Sequence, residues 1–291
     1  MVEGSLPIES FLEKYASRLE AWVSSLQLDL PPESQSRSRL ERGLPWIEAE
    51  GLKPDPAQAT EVLRDLLSDL RASAMSNLPV LDRVLDAVRT EKISGAAFLK
   101  ALLDRDGATV DSMAERVGVP TQILHFIGVF FARPFLAAAH KGFDPSSVGA
   151  EEAGALCPVC GQEPALAVLM VDDGRRRLWC RCCGAAWTVR RLRCLSCGNE
   201  DSASLGYFSL EGEIGRRVDY CEKCRRYIKT IDLRAGGGVQ DRLPGDMDDL
   251  TSGDLDDAAV REGFIPLMGE EVSAEWRRTG MGSERERGGL S

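Results

Sequence analysis

Apolar residues recur at intervals of three and four positions through the first half of the chain. Because an α-helix turns once in 3.6 residues, this spacing places them on one face of each helix. The clearest runs are Ile8, Phe11, Leu12, Tyr15, Leu19, Trp22, Val23 and Leu26; Val62, Leu63, Leu66, Leu67 and Leu70; Val80, Leu81, Val84, Leu85 and Val88; and Phe98, Leu99, Leu102 and Leu103. Residues 1–150 are therefore predicted to form a helical domain of about six or seven helices.

The longest apolar stretch, Val119–Ala139, is predicted to be a buried core helix. It contains His125, Arg133 and Pro134, whereas a membrane-spanning helix needs roughly 20 nearly uncharged residues. The N-terminus also lacks the basic start and short apolar core of a signal peptide. We expect a cytoplasmic protein that does not enter the membrane.

The pattern changes after a linker at residues 144–156. Short apolar runs, Ala165–Val171, Leu205–Leu210 and Tyr227–Leu233, lie between turn-forming residues and predict β-strands. Beyond them, residues 235–291 form an acidic tail, in which Asp246–Phe264 is predicted to form one or two helical turns against the body. The last twenty residues hold few apolar groups and are predicted to be disordered.

All nine cysteines lie between positions 157 and 224, and eight of them form four Cys-x-x-Cys pairs. One such pair grips a metal ion from a single tight turn, and two pairs supply the four thiolates of a tetrahedral site. In each site, the segment between the first and the second Cys-x-x-Cys pair is long enough for one β-hairpin. The predicted ligands are Cys157, Cys160, Cys180 and Cys183 in the first site, and Cys194, Cys197, Cys221 and Cys224 in the second.

The segment Cys180-Arg181-Cys182-Cys183 holds one more sulfur than the pattern requires. Joining Cys180 with Cys183 keeps the two-residue spacing and leaves Cys182 as a bystander, although a pairing through Cys182 is the alternative. Glycine follows the second cysteine in three of the four pairs and permits the positive φ of such a turn. Arg225 follows the fourth pair, so that turn is predicted to be less regular.

The net charge of −10 is unevenly distributed, because residues 151–234 alone have a basic excess, with 14 basic and 12 acidic side chains. Arginines near the cysteines either offset the negative charge of the thiolates or bind nucleic acid, and Trp179 and Trp187 either cover the sulfurs or stack on bases. These arginines are Arg175, Arg176, Arg177, Arg190, Arg191 and Arg193. The acidic chain disfavours nucleic acid as a partner, because phosphate binding needs a dominant basic face.

The sequence predicts no enzymatic activity and no catalytic residue. Four thiolates leave a metal ion without the open position that hydrolysis requires. The two histidines, His125 and His140, are predicted to be a core residue and a helix cap or surface group. The chain contains no nucleophile elbow, phosphate loop or dinucleotide-binding motif.

The cysteine motifs resemble those of the FdhE family, the accessory proteins required to make bacterial formate dehydrogenases. The matching segments are Cys157-Pro-Val-Cys-Gly161; Leu178-Trp-Cys-Arg-Cys-Cys183 followed by Trp187; Arg193-Cys-Leu-Ser-Cys197; Tyr220-Cys-Glu-Lys-Cys224 followed by Tyr227-Ile-Lys229; and the acidic Asp248-Asp-Leu-Thr-Ser252 through Glu262-Gly-Phe264. The resemblance implies a cytoplasmic maturation factor acting on the catalytic subunit of formate dehydrogenase, with rubredoxin-like sites for iron or zinc.

The predicted fold class is α+β: an N-terminal all-helical domain, two rubredoxin-like or zinc-ribbon-like four-cysteine modules, and the acidic tail. The predicted boundaries are 1–150 for the helical domain, 157–190 and 191–234 for the two ribbons, and 235–291 for the tail. Two metal ions are expected per chain, either iron or zinc, since both accept four tetrahedral thiolates. The alternative functions are a nucleic-acid-binding zinc-ribbon protein and a rubredoxin-like electron-transfer protein.

Overall fold

A computed structural model describes residues 7–47, 51–73, 78–150, 153–235 and 245–267. The chain divides into two compact units, one made of residues 1–35 and 47–142 and the other of residues 36–46 and 143–291. The predicted disorder of the last twenty residues falls outside the described residues. The predicted class, helices followed by two four-cysteine modules, is confirmed.

The first unit is helical, as its apolar periodicity predicts. A two-stranded antiparallel pair, β1 (Leu28–Asp29) and β2 (Lys53–Pro54), lies among the helices. The helices of residues 7–139 are α1 (Pro7–Ser25), α2 (Glu33–Glu41), α3 (Pro56–Ala72), α4 (Leu78–Arg89), α5 (Gly95–Leu103), α6 (Gly107–Val117) and α7 (Thr121–Ala139), with α2 running from the first unit into the second.

Local signals in the sequence set where several of these helices begin. Asp55, Ser94 and Asp106 each precede a helix, and each side chain accepts a hydrogen bond from the amide three residues later. Such caps satisfy amides that have no partner within the helix. The predicted apolar positions of α3, from Val62 to Leu70, are all buried, so its stripe forms part of the core.

Helix α7 lies at the centre of this core. By length and composition it could cross a membrane, but 61% of its apolar 18-residue window is buried inside the protein, as in the core helix of a folded domain. The Tyr15 hydroxyl donates a hydrogen bond to the carbonyl of Phe130 at 2.7 Å and ties α1 to this helix. The predicted buried core helix is therefore confirmed.

The second unit contains one seven-stranded sheet. Its order is β5-β4-β3-β8-β7-β6, and β9 pairs with β8 outside this path. The strands are β3 (Leu166–Leu169), β4 (Arg176–Trp179), β5 (Ala186–Val189), β6 (Leu205–Phe208), β7 (Arg216–Cys221), β8 (Arg226–Asp232) and β9 (Ile265–Pro266).

The two ribbons share this sheet, whereas the sequence predicted two separate modules. Strand β3 of the first ribbon pairs in parallel with β8 of the second, with Val168 opposite Ile231. Both residues belong to one buried cluster, which also includes Trp179 and Leu233. Each ribbon alone would leave an edge strand unpaired. Pairing β3 with β8 removes these two edges and buries apolar side chains of both ribbons, which favours a single sheet.

Residues 246–267, the C-terminal segment, pack against the sheet. Helices α8 (Asp246–Leu250) and α9 (Gly253–Arg261) precede β9. Leu255, Ala259 and Phe264 lie in a buried cluster with Val218 and Tyr227 of the sheet. The prediction of helical turns against the body is confirmed, and this part of the acidic tail belongs to the folded unit.

Candidate metal centres

The first cluster lies where two tight turns of the sheet unit meet. One turn carries Cys157 and Cys160, and the other, between β4 and β5, carries Cys180 and Cys183. The Sγ atoms of Cys157 and Cys183 are 3.5 Å apart, and those of Cys160 and Cys180 are 3.6 Å apart. Three of these cysteines are buried and Cys160 is half-buried, so the cluster is largely shielded from water.

The second cluster has the same plan and is more open to solvent. Its turns carry Cys194 with Cys197 and, between β7 and β8, Cys221 with Cys224. The Sγ–Sγ distances are 3.6 Å for Cys194 and Cys224 and 3.8 Å for Cys197 and Cys221. Cys197 is exposed and Cys224 half-buried, so one face of this cluster meets the surface.

Both clusters fit a tetrahedral metal ion. With metal–sulfur bonds of about 2.3 Å, the sulfurs at the corners of a tetrahedron lie about 3.8 Å apart. In each cluster, all four sulfurs lie within 4.8 Å of one another, and the shortest separations match that edge. The chain therefore has two sites that could each hold one ion, and the structure brings all eight predicted ligands into them.

The four cysteine turns share one backbone geometry. In each, the amide of the residue after the second cysteine donates to the carbonyl of the first, at 2.8–2.9 Å. That residue has a positive φ in all four turns: Gly161 (68°), Gly184 (77°), Gly198 (73°) and Arg225 (57°). The predicted irregularity of the fourth turn is wrong, because Arg225 adopts the left-handed backbone that glycine supplies elsewhere.

Contacts of the Arg225 side chain hold it in this disfavoured conformation. Its guanidinium lies 3.9 Å from the ring centroid of Phe264 and donates to the carbonyl of Glu262 at 2.5 Å. The amide of Ile265 donates to the Arg225 carbonyl at 2.9 Å. The C-terminal segment thus braces the turn that carries Cys221 and Cys224.

We expect Arg225→Gly to be more stable than Arg225→Ala by about 1 kcal/mol, because a side chain in left-handed backbone costs about 1–2 kcal/mol. Both variants lose the same guanidinium contacts, so their difference isolates the backbone. Arg226, in β8, is the matched control, and there the alanine variant should be the more stable. Denaturant unfolding of the glycine and alanine variants at both positions measures the two differences in stability. If the same residue is the more stable replacement at both positions, the explanation is contradicted.

Without a cation, the first cluster resists full ionisation. Burial raises the pKa of the Cys157 and Cys183 thiols. Burial also opposes ionisation of Cys180, but hydrogen bonds from neighbouring thiols outweigh it and lower the pKa of Cys180 well below its usual range. One thiolate stabilised by its protonated neighbours is the arrangement expected of crowded thiols that lack a positive charge among them.

In the second cluster, too, the pKa of one thiol is lowered while the pKa values of others are raised. Burial raises the pKa of Cys194 and raises that of Cys224 to about 11. Burial opposes ionisation of Cys221 as well, but hydrogen bonds from the backbone amides of Cys224 and Lys223 lower its pKa. A divalent ion would replace the protons on the remaining sulfurs, since metals bind the thiolate form.

Metal affinity is therefore expected to rise with pH. Thiols with a raised pKa carry protons at neutral pH, and each proton displaced by the metal strengthens binding roughly ten-fold per pH unit. Competition between the full chain and a zinc chelator, measured between about pH 6 and pH 8, should show the zinc dissociation constants falling as pH rises. Affinities that do not change over this range would contradict a thiolate site.

Cys182 lies outside both clusters, as predicted. Hydrogen bonds with Cys157 and Cys180 raise the pKa of Cys160, and a hydrogen bond with Cys182 opposes that shift only in part. Trp179 and Trp187 are both buried, and the Trp187 indole donates to the carbonyl of Gly154 at 3.2 Å, so neither ring presents a face for stacking on a base. That the eight clustered cysteines bind metal remains a prediction.

Several of the predicted arginines pair with nearby acidic groups. Arg190 lies 2.6 Å from Glu200, and Arg175 lies 3.1 Å from Asp173. Arg176 is buried, with Asp219 at 3.5 Å. These pairs carry no net charge, so compensation of the thiolate charge by the basic excess stays a prediction.

Helix α7 carries His125 along its length and His140 at its C-terminal end. The prediction that His125 is a core residue is wrong: its side chain is 46% exposed, and its Nε2 lies 2.9 Å from Asp111. Leu124 and Ile127 on the same helix are fully buried, so His125 lies on the solvent side of α7. His140 occupies the C-terminal cap position of α7, as predicted.

The sequence analysis missed Asn199, which follows the third cysteine turn. Its side-chain amide donates to Ser204 at 2.8 Å and lies 3.7 Å from the Sγ of Cys221. Lys223 donates to its carbonyl oxygen at 2.8 Å. An amide held near a sulfur stabilises the thiolate and orients the ligand, and the only signal in the sequence is its place directly after Cys197-Gly198.

Comparisons with known proteins identify relatives along most of the chain. An FdhE homologue from Aquifex aeolicus is 39% identical over 119 residues, which cover 38% of this chain and 39% of that protein. An FdhE homologue from Yersinia pestis (strain Pestoides F) is 27% identical over 265 residues, covering 89% of this chain and 80% of that protein.

The fold has a counterpart among solved structures, although no family model matches the sequence. The crystal structure of the FdhE protein from Pseudomonas aeruginosa matches with a TM-score of 0.58 and 21% identity, covering 87% of this chain and 84% of that one. At that identity the match shows the fold alone. The two FdhE homologues and the paired cysteine clusters support the FdhE family for this chain.

Proposed function

We propose that this protein is a cytoplasmic accessory factor that binds the catalytic subunit of formate dehydrogenase and assists its maturation. Membership of the FdhE family, which is involved in formate dehydrogenase maturation, is the observation that carries the proposal. The two closed four-cysteine clusters agree with a binding role, because four thiolates leave a metal without an open position for substrate.

The exposed apolar side chains of the second ribbon support a protein partner. Leu192, Tyr207 and Ile214 are each more than 60% exposed, although large apolar side chains are usually buried. Exposed aromatic and aliphatic residues of this kind are typical of protein-binding surfaces. We place the contact with the catalytic subunit on this ribbon.

Each cluster is proposed to hold one iron or zinc ion. A structural zinc would hold its ribbon in the conformation that contacts the partner. An iron tetrathiolate would add a one-electron couple, and the solvent-exposed Cys197 favours electron exchange at the second cluster. Metal analysis of protein purified without oxygen distinguishes the two, since zinc at both sites would remove the redox alternative.

Deletion of the gene tests the maturation role. Formate dehydrogenase activity should be lost, while an immunoblot follows the catalytic subunit. Subunit that is present but inactive indicates activation, and subunit that is degraded indicates a chaperone. Normal activity in a strain without a second copy of the gene would refute the proposal.

Complementation separates the clusters from the chain as a whole. The wild-type gene and Cys182→Ala should both restore activity, because Cys182 lies outside the clusters. Cys194→Ser should not, provided that an immunoblot finds the variant itself in the cell. The purified protein should catalyse no formate oxidation, and measurable turnover would contradict the accessory role.

The partner assignment has its own experiment. The tagged chain should co-purify with the catalytic subunit, and Leu192→Ser combined with Tyr207→Ser should weaken this capture. Val260→Ser on α9 is the control, because its side chain is also 59% exposed and lies outside the second ribbon. Equal capture by both variants would move the contact away from this surface.

A further inference from the structure

A cavity of about 350 Å³ lies beside the second cluster in the sheet unit. Cys194 and Cys221 form part of its wall, together with Tyr207 and Leu192. This volume lies at the lower end of the range for small-molecule sites. Neither the metal clusters nor the proposed partner surface of the second ribbon gives a role to the interior of this cavity.

Positive charge dominates the wall of this cavity. Asp219 is the one acidic residue among the described lining residues. The arginines that line the cavity are Arg176, Arg191, Arg193, Arg217, Arg226 and Arg234. Neutralising the thiolates accounts for part of this excess, since one tetrathiolate with a divalent ion carries two negative charges.

Acidic groups hold two of these guanidinium groups in place. Arg217 lies 2.8 Å from Asp219 and 3.0 Å from Asp232, and Arg234 lies 2.6 Å from Asp232. The Arg217 guanidinium also lies 4.3 Å from the ring centroid of Tyr207. Guanidinium groups fixed in this way are positioned for a ligand before it arrives, which lowers the cost of ordering them on binding.

Two other arginines have capacity for a ligand. The Arg176 side chain is only 8% exposed, its Nε has no hydrogen-bond partner in the described structure, and its nearest carboxylate is 3.5 Å away. Arg191 pairs with no carboxylate among the described residues. Buried donors normally find acceptors, so a buried donor without one, on a residue of the cavity wall, suits an oxyanion ligand.

We propose that this cavity binds a small organic molecule that carries a phosphate or diphosphate group. Guanidinium groups match phosphate oxygens in pairs, and a phosphate brings the multiple negative charge that several arginines require. The leucine and tyrosine side chains of the wall would contact the apolar part of the molecule. A concave site of this size favours a small ligand over the phosphate backbone of a nucleic acid, which follows an extended groove.

The proposal does not rest on the maturation role, although Leu192 and Tyr207 belong both to the cavity wall and to the proposed partner surface. Titration calorimetry of the metal-loaded full chain tests it directly. ADP and inorganic pyrophosphate should each bind saturably with one site per chain. Adenosine, which lacks phosphate, should bind at least about ten-fold more weakly. Absence of saturable binding by ADP and pyrophosphate at roughly millimolar concentration would overturn the proposal.

Neighbouring arginines supply a matched pair of variants. Arg191→Gln should weaken ADP binding about ten-fold, because Arg191 lines the cavity. Arg190→Gln makes the same change of charge one residue away, at a side chain that pairs with Glu200, and should leave the affinity unchanged. Equal loss in both variants would indicate general charge attraction and would overturn the assigned site.

Two further probes identify a different occupant. A glutamate-rich peptide and a single-stranded oligonucleotide are titrated under the same conditions. If either binds more tightly than ADP and loses affinity in Arg191→Gln, the cavity belongs to a protein or nucleic-acid contact and the small-ligand assignment is wrong. Weaker binding of both supports the assignment.

Discussion

Replacing Cys157 with serine is expected to lower the metal content from two ions per chain to one. Cys157 is buried, and its Sγ lies 3.5 Å from that of Cys183. A four-cysteine site that loses one thiolate loses much of its affinity, and metal binding contributes apparent folding free energies of roughly 10–16 kcal/mol in zinc-finger peptides. The first ribbon should therefore unfold, while the separate helical unit keeps its structure.

Metal analysis measures the loss of one ion, and circular dichroism measures the unfolding of the first ribbon. Cys182→Ala is the control, because Cys182 lies between the ligands Cys180 and Cys183 but outside the cluster, and it should retain both ions. Unchanged metal content in Cys157→Ser would refute the ligand assignment. Loss of about one ion in Cys182→Ala would instead support the pairing through Cys182.

Replacing Asp249 with alanine is expected to destabilise the sheet unit by about 3–5 kcal/mol, as when one partner of a buried ion pair is removed. The Asp249 carboxylate is 1% exposed and contacts Arg181, beside the first cluster. It also lies 3.1 Å from the Nζ of Lys229, an ion pair without hydrogen-bond geometry. Lys229 is 7% exposed, so the substitution leaves a buried cation whose one remaining acidic partner among the described residues is Asp256, at 2.8 Å.

Denaturant unfolding of the metal-loaded protein, followed through the buried Trp179 and Trp187, measures this loss. Asp257→Ala, an exposed position on α9, is the matched control and should change stability little. The double variant Asp249→Leu with Lys229→Met should lose less stability than the sum of the losses in Asp249→Leu and Lys229→Met alone, because it removes both buried charges. Additive losses would show that the two groups do not interact.

The C-terminal segment contacts one cysteine turn of each cluster. Arg181 lies in a turn of the first cluster, and Arg225 lies in a turn of the second. Both contact the C-terminal segment, through Asp249 and through the carbonyl of Glu262. The segment thus braces one cysteine turn of each cluster, and we expect its loss to weaken metal retention at both.

Local patterns in the sequence determined the helices and the two ligand sets. The spacing of apolar residues predicted α3 and α7, because helix geometry alone relates positions three and four apart. The Cys-x-x-Cys spacing predicted the clusters, because one tight turn positions both sulfurs of a pair. These features depend on residues that are close in the chain.

The tertiary structure alone decided how the local pieces combine. The parallel pairing of β3 with β8 joins strands about sixty residues apart, and no repeat in the sequence marks that pairing. Arg225 takes a glycine-like backbone in a turn that is braced by backbone hydrogen bonds and by the contacts of its side chain with Phe264 and Glu262. The arginine-lined cavity likewise gathers side chains from strands that meet only in the folded sheet. The sequence by itself therefore determined the helices and the ligand pairs, and long-range packing decided the single sheet, the bracing of the clusters and the cavity beside one of them.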